Sequence, residues 1–145
     1  MTRFFVMLIA AVVVFLVAIA SLITYAHADV MITIYKSDQT MYVDTPYEQF
    51  AWKISTARPG YDTPTGRFQP ERLETMHYSK KYDNAPMPNS IFFSGGYAIH
   101  ATYDVKHLGR PASHGCVRLS PQNAKWLFQI VKENGMENTF IEIVD

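Results

Sequence analysis

The sequence predicts a mainly β domain with one α-helix in its C-terminal half, and three observations carry that expectation. Short β-branched and aromatic runs recur between turn signals from Val30 onward. Only one stretch, holding Ala124, Leu127, Phe128 and Val131, repeats its apolar residues at helical spacing. No low-complexity tract or internal repeat interrupts the pattern.

The first segment stands apart from that domain. Met1-Thr2-Arg3 is a short positive start, Phe4 to Ile23 is apolar apart from Ser21, and Ala26-His27-Ala28 is a small-x-small site just before Asp29. This order predicts a signal peptide over residues 1–28. The alternative is an uncleaved anchor, because an apolar run of this length can cross a bilayer core as a helix. Either reading places residues 29–145 outside the cytoplasmic membrane, in the periplasm or cell envelope, as one domain with one modest core.

Within that domain, Val30–Tyr35 reads as a strand, Ser37-Asp38 as a turn, and Thr40–Val43 as the returning arm of a hairpin. Gln49–Ala57 alternates apolar and polar residues and predicts a third strand, ended by Pro59-Gly60. Thr63-Pro64-Thr65-Gly66 is a second turn, with Phe68 in a short strand beyond it. Pro70 to Asn89 holds charges, three prolines and the pair Tyr78 and Tyr82; it reads as an irregular excursion, either covering a groove or forming an ordinary surface loop. Ser90–Ser94 and Tyr97–Ala101 flank Gly95-Gly96 as a hairpin. Ser120 is placed to cap a helix that starts at Pro121 and stops at Gly135, and Thr139–Val144 is a last strand. A sandwich with the helix closing one side is the natural packing.

Composition narrows the function. Thirteen basic residues balance thirteen acidic ones, so nothing draws the chain to nucleic acid. Cys116 is the only cysteine. In an exported chain it cannot form an internal disulfide, so it is either a buried small hydrophobe or a reactive thiol. Its surroundings favour reactivity, since His100, His107 and His114 lie in the same stretch. At an ordinary pKa near 8.5 only about 3% of a thiol is ionised at pH 7; a pKa of about 6 would make it roughly 90% thiolate, for about 3.4 kcal/mol. A neighbouring imidazolium is the usual source of such a shift, with Arg118 and the amides at the helix start able to add to it. Gly115 lets the backbone approach a substrate and leaves the Cys116 amide for an oxyanion.

Ser113-His114-Gly115-Cys116-Val117-Arg118 resembles the signature of the L,D-transpeptidase catalytic domain. His100 stands sixteen positions before Cys116, within that family's spacing, Thr63-Pro64-Thr65-Gly66 is similar to its TPTG turn, and Trp52-Lys53-Ile54-Ser55-Thr56 resembles the strand leading to it. The resemblance spans nearly all of residues 29–145. It implies an L,D-transpeptidase-like β-sandwich, with Cys116 as nucleophile and His100 as general base. A backbone carbonyl beside that histidine fixes its ring in the family, so Ala101 in the third place of the triad raises no difficulty. Ser113, His114 and Gly115 would shape the site, and Arg118, where other members carry Asn, would alter substrate contacts.

The reaction so implied is a two-step acyl transfer. Cys116 attacks the carbonyl on the L-centre of a diamino acid in a peptidoglycan tetrapeptide stem, D-alanine leaves, and an amine takes the acyl group. That amine belongs to another stem, giving a crosslink, or to an envelope protein, giving anchoring. No metal or cofactor is called for, and the membrane is a partner only if the N-terminal segment stays uncleaved. Three alternatives stand beside this reading. The first is a hydrolase of the same fold that passes the acyl group to water. The second is a zinc site drawn from His100, His107, His114 and Cys116, although these lack the short paired spacings of structural zinc sites. The third is an inert wall-binding protein. Tyr97, Tyr103, Trp52 and Trp126 are candidates to line a groove, with core packing the competing role for the tryptophans and His107 expected on the loop surface.

Overall fold

The computed structural model describes residues 29–145, so the expected signal peptide or anchor over residues 1–28 lies outside the described residues. Nine strands and one α-helix make up the domain: β1 (Val30–Tyr35), β2 (Thr40–Asp44), β3 (Gln49–Lys53), β4 (Gly66–Phe68), β5 (Arg72–Ser79), β6 (Ala85–Ser94), β7 (Tyr97–Ala101), β8 (Val117–Leu119), α1 (Pro121–Asn134) and β9 (Thr139–Val144). They form a five-stranded sheet, β3-β2-β1-β9-β4, and a four-stranded sheet, β5-β6-β7-β8. Among the described residues no helix is long and apolar enough to cross a membrane.

Period-two patterning sets which face each strand buries. Val30, Ile32 and Ile34 of β1 point inward, as do Met41 and Val43 of β2 and Ile141 and Ile143 of β9. They share one core with Ile91, Phe93, Ile99, Ala101, Val117 and Leu119 of the second sheet. The helix adds Ala124, Leu127, Phe128 and Val131, the four residues its spacing marks out. Its start is as the sequence predicts, since the Asn123 amide donates to Ser120 Oγ at 3.2 Å and Pro121 needs no donor there. Gly135 ends it at φ 95°. The helix packs on β6 and β7, and Trp126 reaches Phe50 of β3 with ring centroids 4.1 Å apart. Trp126 is thus the expected helix-to-sheet contact.

Two local expectations are corrected, and one strand goes beyond them. Pro70–Asn89 is mostly an antiparallel hairpin, β5 with β6, not an irregular excursion. Pro86 and Pro88 obscure it in the sequence, yet they lie where β6 has run past the end of β7 and pairs with β5 alone. A missing N–H is harmless on such a one-sided stretch. Gln49–Ala57 is not one strand: the ladder stops at Lys53, and Ser55 and Ala57 make isolated bridges to Arg118 and Ser113. The chain leaves the sheet there because buried Gln39 captures it. The Gln39 carbonyl accepts from the Ile54 amide, and its side-chain Oε1 accepts from the Thr56 amide. Finally, Val117–Leu119 is a strand, β8, which three residues beside a histidine-rich loop do not announce.

Strand β8 runs parallel to β7, with Ile99, His100 and Ala101 opposite Val117, Arg118 and Leu119. A parallel pair cannot be joined by a tight turn and needs a longer crossover. Residues 102–116 are that crossover, and the unusual residues of the sequence sit at its two ends.

Candidate active site

Side-chain alternation in β7 sends Ile99 and Ala101 into the core and Ala98 and His100 to the opposite face of the sheet. Cys116 immediately precedes β8, two positions before Arg118, so it comes out on the His100 face as a diagonal neighbour. Strand spacing and rise put the two Cα atoms about 8 Å apart, within reach of an imidazole and a thiol pointing toward each other. Cys116 packs with Met87, Phe92 and Ala98 in a small apolar cluster of that face, and its Sγ lies 3.8 Å from the Gly96 carbonyl. Both side chains line one cavity of about 760 Å³.

The His100 ring is buried, and its Nδ1 donates to the Ala101 carbonyl at 2.7 Å. That bond fixes the tautomer and leaves the Nε2 lone pair free to take a proton. Burial lowers the His100 pKa to about 4, against the Ala101 carbonyl that raises it, with Arg118 and His77 lowering it further. Burial pushes the Cys116 thiol above its ordinary range, opposed by the Ala98 amide and the Arg118 charge. Both shifts oppose moving the proton from sulfur to nitrogen, and so favour the neutral thiol and imidazole over the thiolate and imidazolium. These directions run opposite to the thiolate and imidazolium pair that the sequence suggests.

The loop that delivers Cys116 is fixed by backbone bonds from two sides. Ser113 Oγ donates to the Cys116 carbonyl at 2.6 Å and accepts from the Gly115 amide at 3.0 Å. Gly115 sits at φ +133°, and a Cβ there would fall 2.7 Å from Tyr97 Cε1 and 2.9 Å from the Asp62 carbonyl. Only glycine fits. Buried Thr63 donates through Oγ1 to the Gly115 carbonyl at 2.8 Å and accepts from the Ala57 amide at 2.9 Å. The Thr56 carbonyl accepts from the amides of Ala112 and Ser113, both at 3.0 Å. The Trp52–Thr56 and Thr63–Gly66 segments, distant in sequence, are thus the bed on which Ser113–Cys116 rests.

The family model of the L,D-transpeptidase catalytic domain (YkuD) matches residues 29–143. The chain belongs to that family. No curated protein matches it in sequence. Among solved structures it is similar to an L,D-transpeptidase from Mycobacterium smegmatis, at 22% identity and a TM-score of 0.72, over 81% of this chain and 59% of that one. It is also similar to an L,D-transpeptidase from Stackebrandtia nassauensis, at 24% and 0.69, over 81% and 56%. A third is L,D-transpeptidase 3 from Mycobacterium tuberculosis in complex with a faropenem-derived adduct, at 19% and 0.68, over 81% and 61%. The chain spans less than two thirds of the length of these solved chains. The predicted L,D-transpeptidase-like sandwich is the observed fold.

Against this L,D-transpeptidase frame the other predicted residues divide. Ser113, Gly115 and Ala101 hold the geometry through the bonds just given. His114 accepts from Arg58 Nη2 at 2.7 Å, stacks on Tyr82 at 4.4 Å and meets the edge of Tyr61 at 4.7 Å. Arg118 is half-buried on the cavity wall and donates to the Ala112 carbonyl at 3.3 Å. Tyr97 and Tyr103 line the cavity. Trp52 and Trp126 do not; they pack edge-to-face on each other and against Phe50. His107 is partly exposed on the loop, as expected; its Nδ1 contacts Asp104 Oδ2 and its carbonyl accepts from Ser55 Oγ at 2.7 Å. Among the described residues, no three His, Cys, Asp or Glu side chains converge as a metal site would require. Sequence reasoning missed Asp104, Arg58 and Tyr82. The stacking of Tyr82 was signalled only by its place in the aromatic excursion, and Arg58 by nothing local.

Proposed function

We propose that this chain is an exported cysteine L,D-transpeptidase acting on peptidoglycan tetrapeptide stems, with Cys116 as nucleophile and His100 as general base. One observation carries the reading: a buried, neutral imidazole with its tautomer fixed by the Ala101 carbonyl shares a cavity and a sheet face with the single thiol.

In the first step the Cys116 proton passes to His100 Nε2 as sulfur attacks the carbonyl on the L-centre of the diamino acid. The C–N bond to D-alanine breaks, and His100 returns the proton to the leaving amine. In the second step an amine attacks the thioester, gives its proton to His100, and the thiol is regenerated. Burial opposes the separation of charge between sulfur and imidazole, and that opposition becomes part of the activation barrier. The half-buried setting of Cys116 beside buried His100 also favours the protonated thiol, which resists oxidation better than a thiolate. The solved L,D-transpeptidase 3 from Mycobacterium tuberculosis is in complex with a faropenem-derived adduct, which makes faropenem a suitable probe of this chain. The A-x-A pattern before Asp29 supports export, and the acceptor is a second stem or an envelope protein.

The test is incubation of purified protein with tetrapeptide-containing wall fragments, read by mass. Crosslinked dimer or stem-modified acceptor supports transfer. Tripeptide alone makes the chain a hydrolase, and unconsumed substrate overturns the reading.

A further inference from the structure

The loop between β1 and β2 carries a buried residue whose backbone asks for glycine. Gln39 has φ +50°, in the left-handed region, and is 3% exposed. Glycine would take that conformation at no steric cost, so what glutamine adds there is its side-chain amide. That amide is fully engaged. Its Oε1 accepts from the Thr56 amide at 2.8 Å, and its Nε2 donates to Thr56 Oγ1 at 2.6 Å and to the Lys36 carbonyl at 2.7 Å. Both Nε2 protons therefore have partners. The Gln39 backbone carbonyl takes the Ile54 amide at 2.9 Å.

Thr56 is also buried, and it passes this hold on to the loop of the nucleophile. Its carbonyl accepts from the Ala112 and Ser113 amides, and Ser113 Oγ donates to the Cys116 carbonyl at 2.6 Å. A second route leaves from Lys36, whose carbonyl Gln39 binds. Lys36 Nζ donates to the Thr63 carbonyl at 3.2 Å, and Thr63 Oγ1 donates to the Gly115 carbonyl at 2.8 Å. Gln39 thus stands behind both supports of the Ser113–Cys116 segment. Neither Gln39 nor Thr56 lines the cavity, so neither touches a substrate bound there.

We propose that Gln39 is a positioning residue for the acyl transfer, setting the direction in which Cys116 presents its sulfur by fixing the Thr56 carbonyl. This rests on the reading of Cys116 as the nucleophile. With the Thr56 amide and hydroxyl both held by one side chain, its carbonyl has one direction in which to meet Ala112 and Ser113. Without that hold the loop shifts relative to His100, which β7 and the Ala101 carbonyl fix independently. A displacement of ~1 Å between reacting groups can cost on the order of 100-fold in rate.

The test is single-turnover acylation by a tetrapeptide donor, followed by D-alanine release. It separates the maximal rate of the folded protein from the donor concentration that gives half of it. Gln39→Met keeps the length of the side chain and removes all its hydrogen bonds. It should lower the maximal rate about tenfold or more, with the half-saturating concentration near the wild-type value. Trp126→Ala, which weakens the domain from a site with no bond to the loop, should leave both values unchanged. A purely structural Gln39 would behave like Trp126: less folded protein, all of it reacting at the wild-type rate. That result, or a loss confined to the half-saturating concentration, overturns the proposal. Should Gln39→Met not fold, Thr56→Val decides, because it deletes only the hydroxyl that Nε2 grips. Its maximal rate should fall, and a wild-type rate there overturns the proposal. Wild type that releases no D-alanine overturns the transpeptidase reading itself and the proposal with it, a result distinct from the others.

Discussion

Thr63→Val removes one hydroxyl and almost no volume, yet it should loosen the whole Cys116 loop. Thr63 is 1% exposed, and its Oγ1 is both donor to the Gly115 carbonyl and acceptor from the Ala57 amide. Valine leaves both backbone groups unpaired. The Gly115 carbonyl is buried and forfeits about 1–3 kcal/mol; the half-buried Ala57 amide loses less because water can reach it. The sum, about 2–4 kcal/mol, is a large part of the 5–15 kcal/mol that holds a domain of this size together. Thr63→Ser is the control: it keeps both bonds and loses one buried methyl, about 1 kcal/mol. Urea unfolding measures the two free energies, and the rate of acylation by faropenem reports whether Cys116 is still presented correctly. The valine variant should lose both stability and acylation, and the serine variant should keep most of each. If Thr63→Val unfolds within 0.5 kcal/mol of wild type (roughly the spread of neutral surface changes), the hydroxyl bridge is not what fixes this loop.

Other outcomes follow from the same geometry. Gly115→Ala should abolish acylation, because its Cβ would lie 2.7 Å from Tyr97 and 2.9 Å from the Asp62 carbonyl; a normal rate would show that the loop can yield. The acid limb of kcat/KM should fall near pH 4, where His100 protonates, not near 6.5. Stability should change in the same window. The unfolded chain protonates His100 at pH 6.5 and the folded one only at about 4, so stability rises with pH between these values and is lost as pH falls. Urea melts at pH 7 and pH 4 should show a loss of about 3 kcal/mol that is missing from His100→Asn; equal losses in both would contradict a buried neutral imidazole. Iodoacetamide should label Cys116 in the free protein slowly at neutral pH, with a midpoint above 9; rapid labelling at pH 6 would restore the preformed thiolate. Trp126→Ala should cost about 3 kcal/mol in urea while faropenem acylation of the folded fraction is unchanged, since its rings pack on Phe50 and Trp52 and not in the cavity.

The parts of the fold that were legible in the sequence are those where local chemistry and tertiary structure agree. Ser120, Pro121 and Gly135 bound the helix because caps are local devices. The four buried helix residues follow from periodicity alone. The β5–β6 hairpin was hidden because its prolines argue against strand, and only the sheet order shows that one side of that stretch is free of a partner. β8 was hidden because three residues carry no period. At the site, Cys116 and His100 were legible through their spacing and type. Their protonation was not, since it depends on burial that no motif encodes. Thr63 was visible as a turn residue, but its bond to Gly115 joins positions 52 residues apart. Asp104 had no signal, because its place on the cavity wall follows from the fold and from no motif.

The central claim is that the Cys116 sulfur takes the acyl group of a tetrapeptide stem from D-alanine. Intact-protein mass after brief exposure to a tetrapeptide donor, quenched in acid, measures it directly. The account predicts a mass gain equal to the tripeptide acyl group, mapped to the peptide holding Cys116, with matching release of D-alanine and no adduct in Cys116→Ala. Stem turnover that persists in Cys116→Ala, with no adduct on the wild-type thiol, would contradict it.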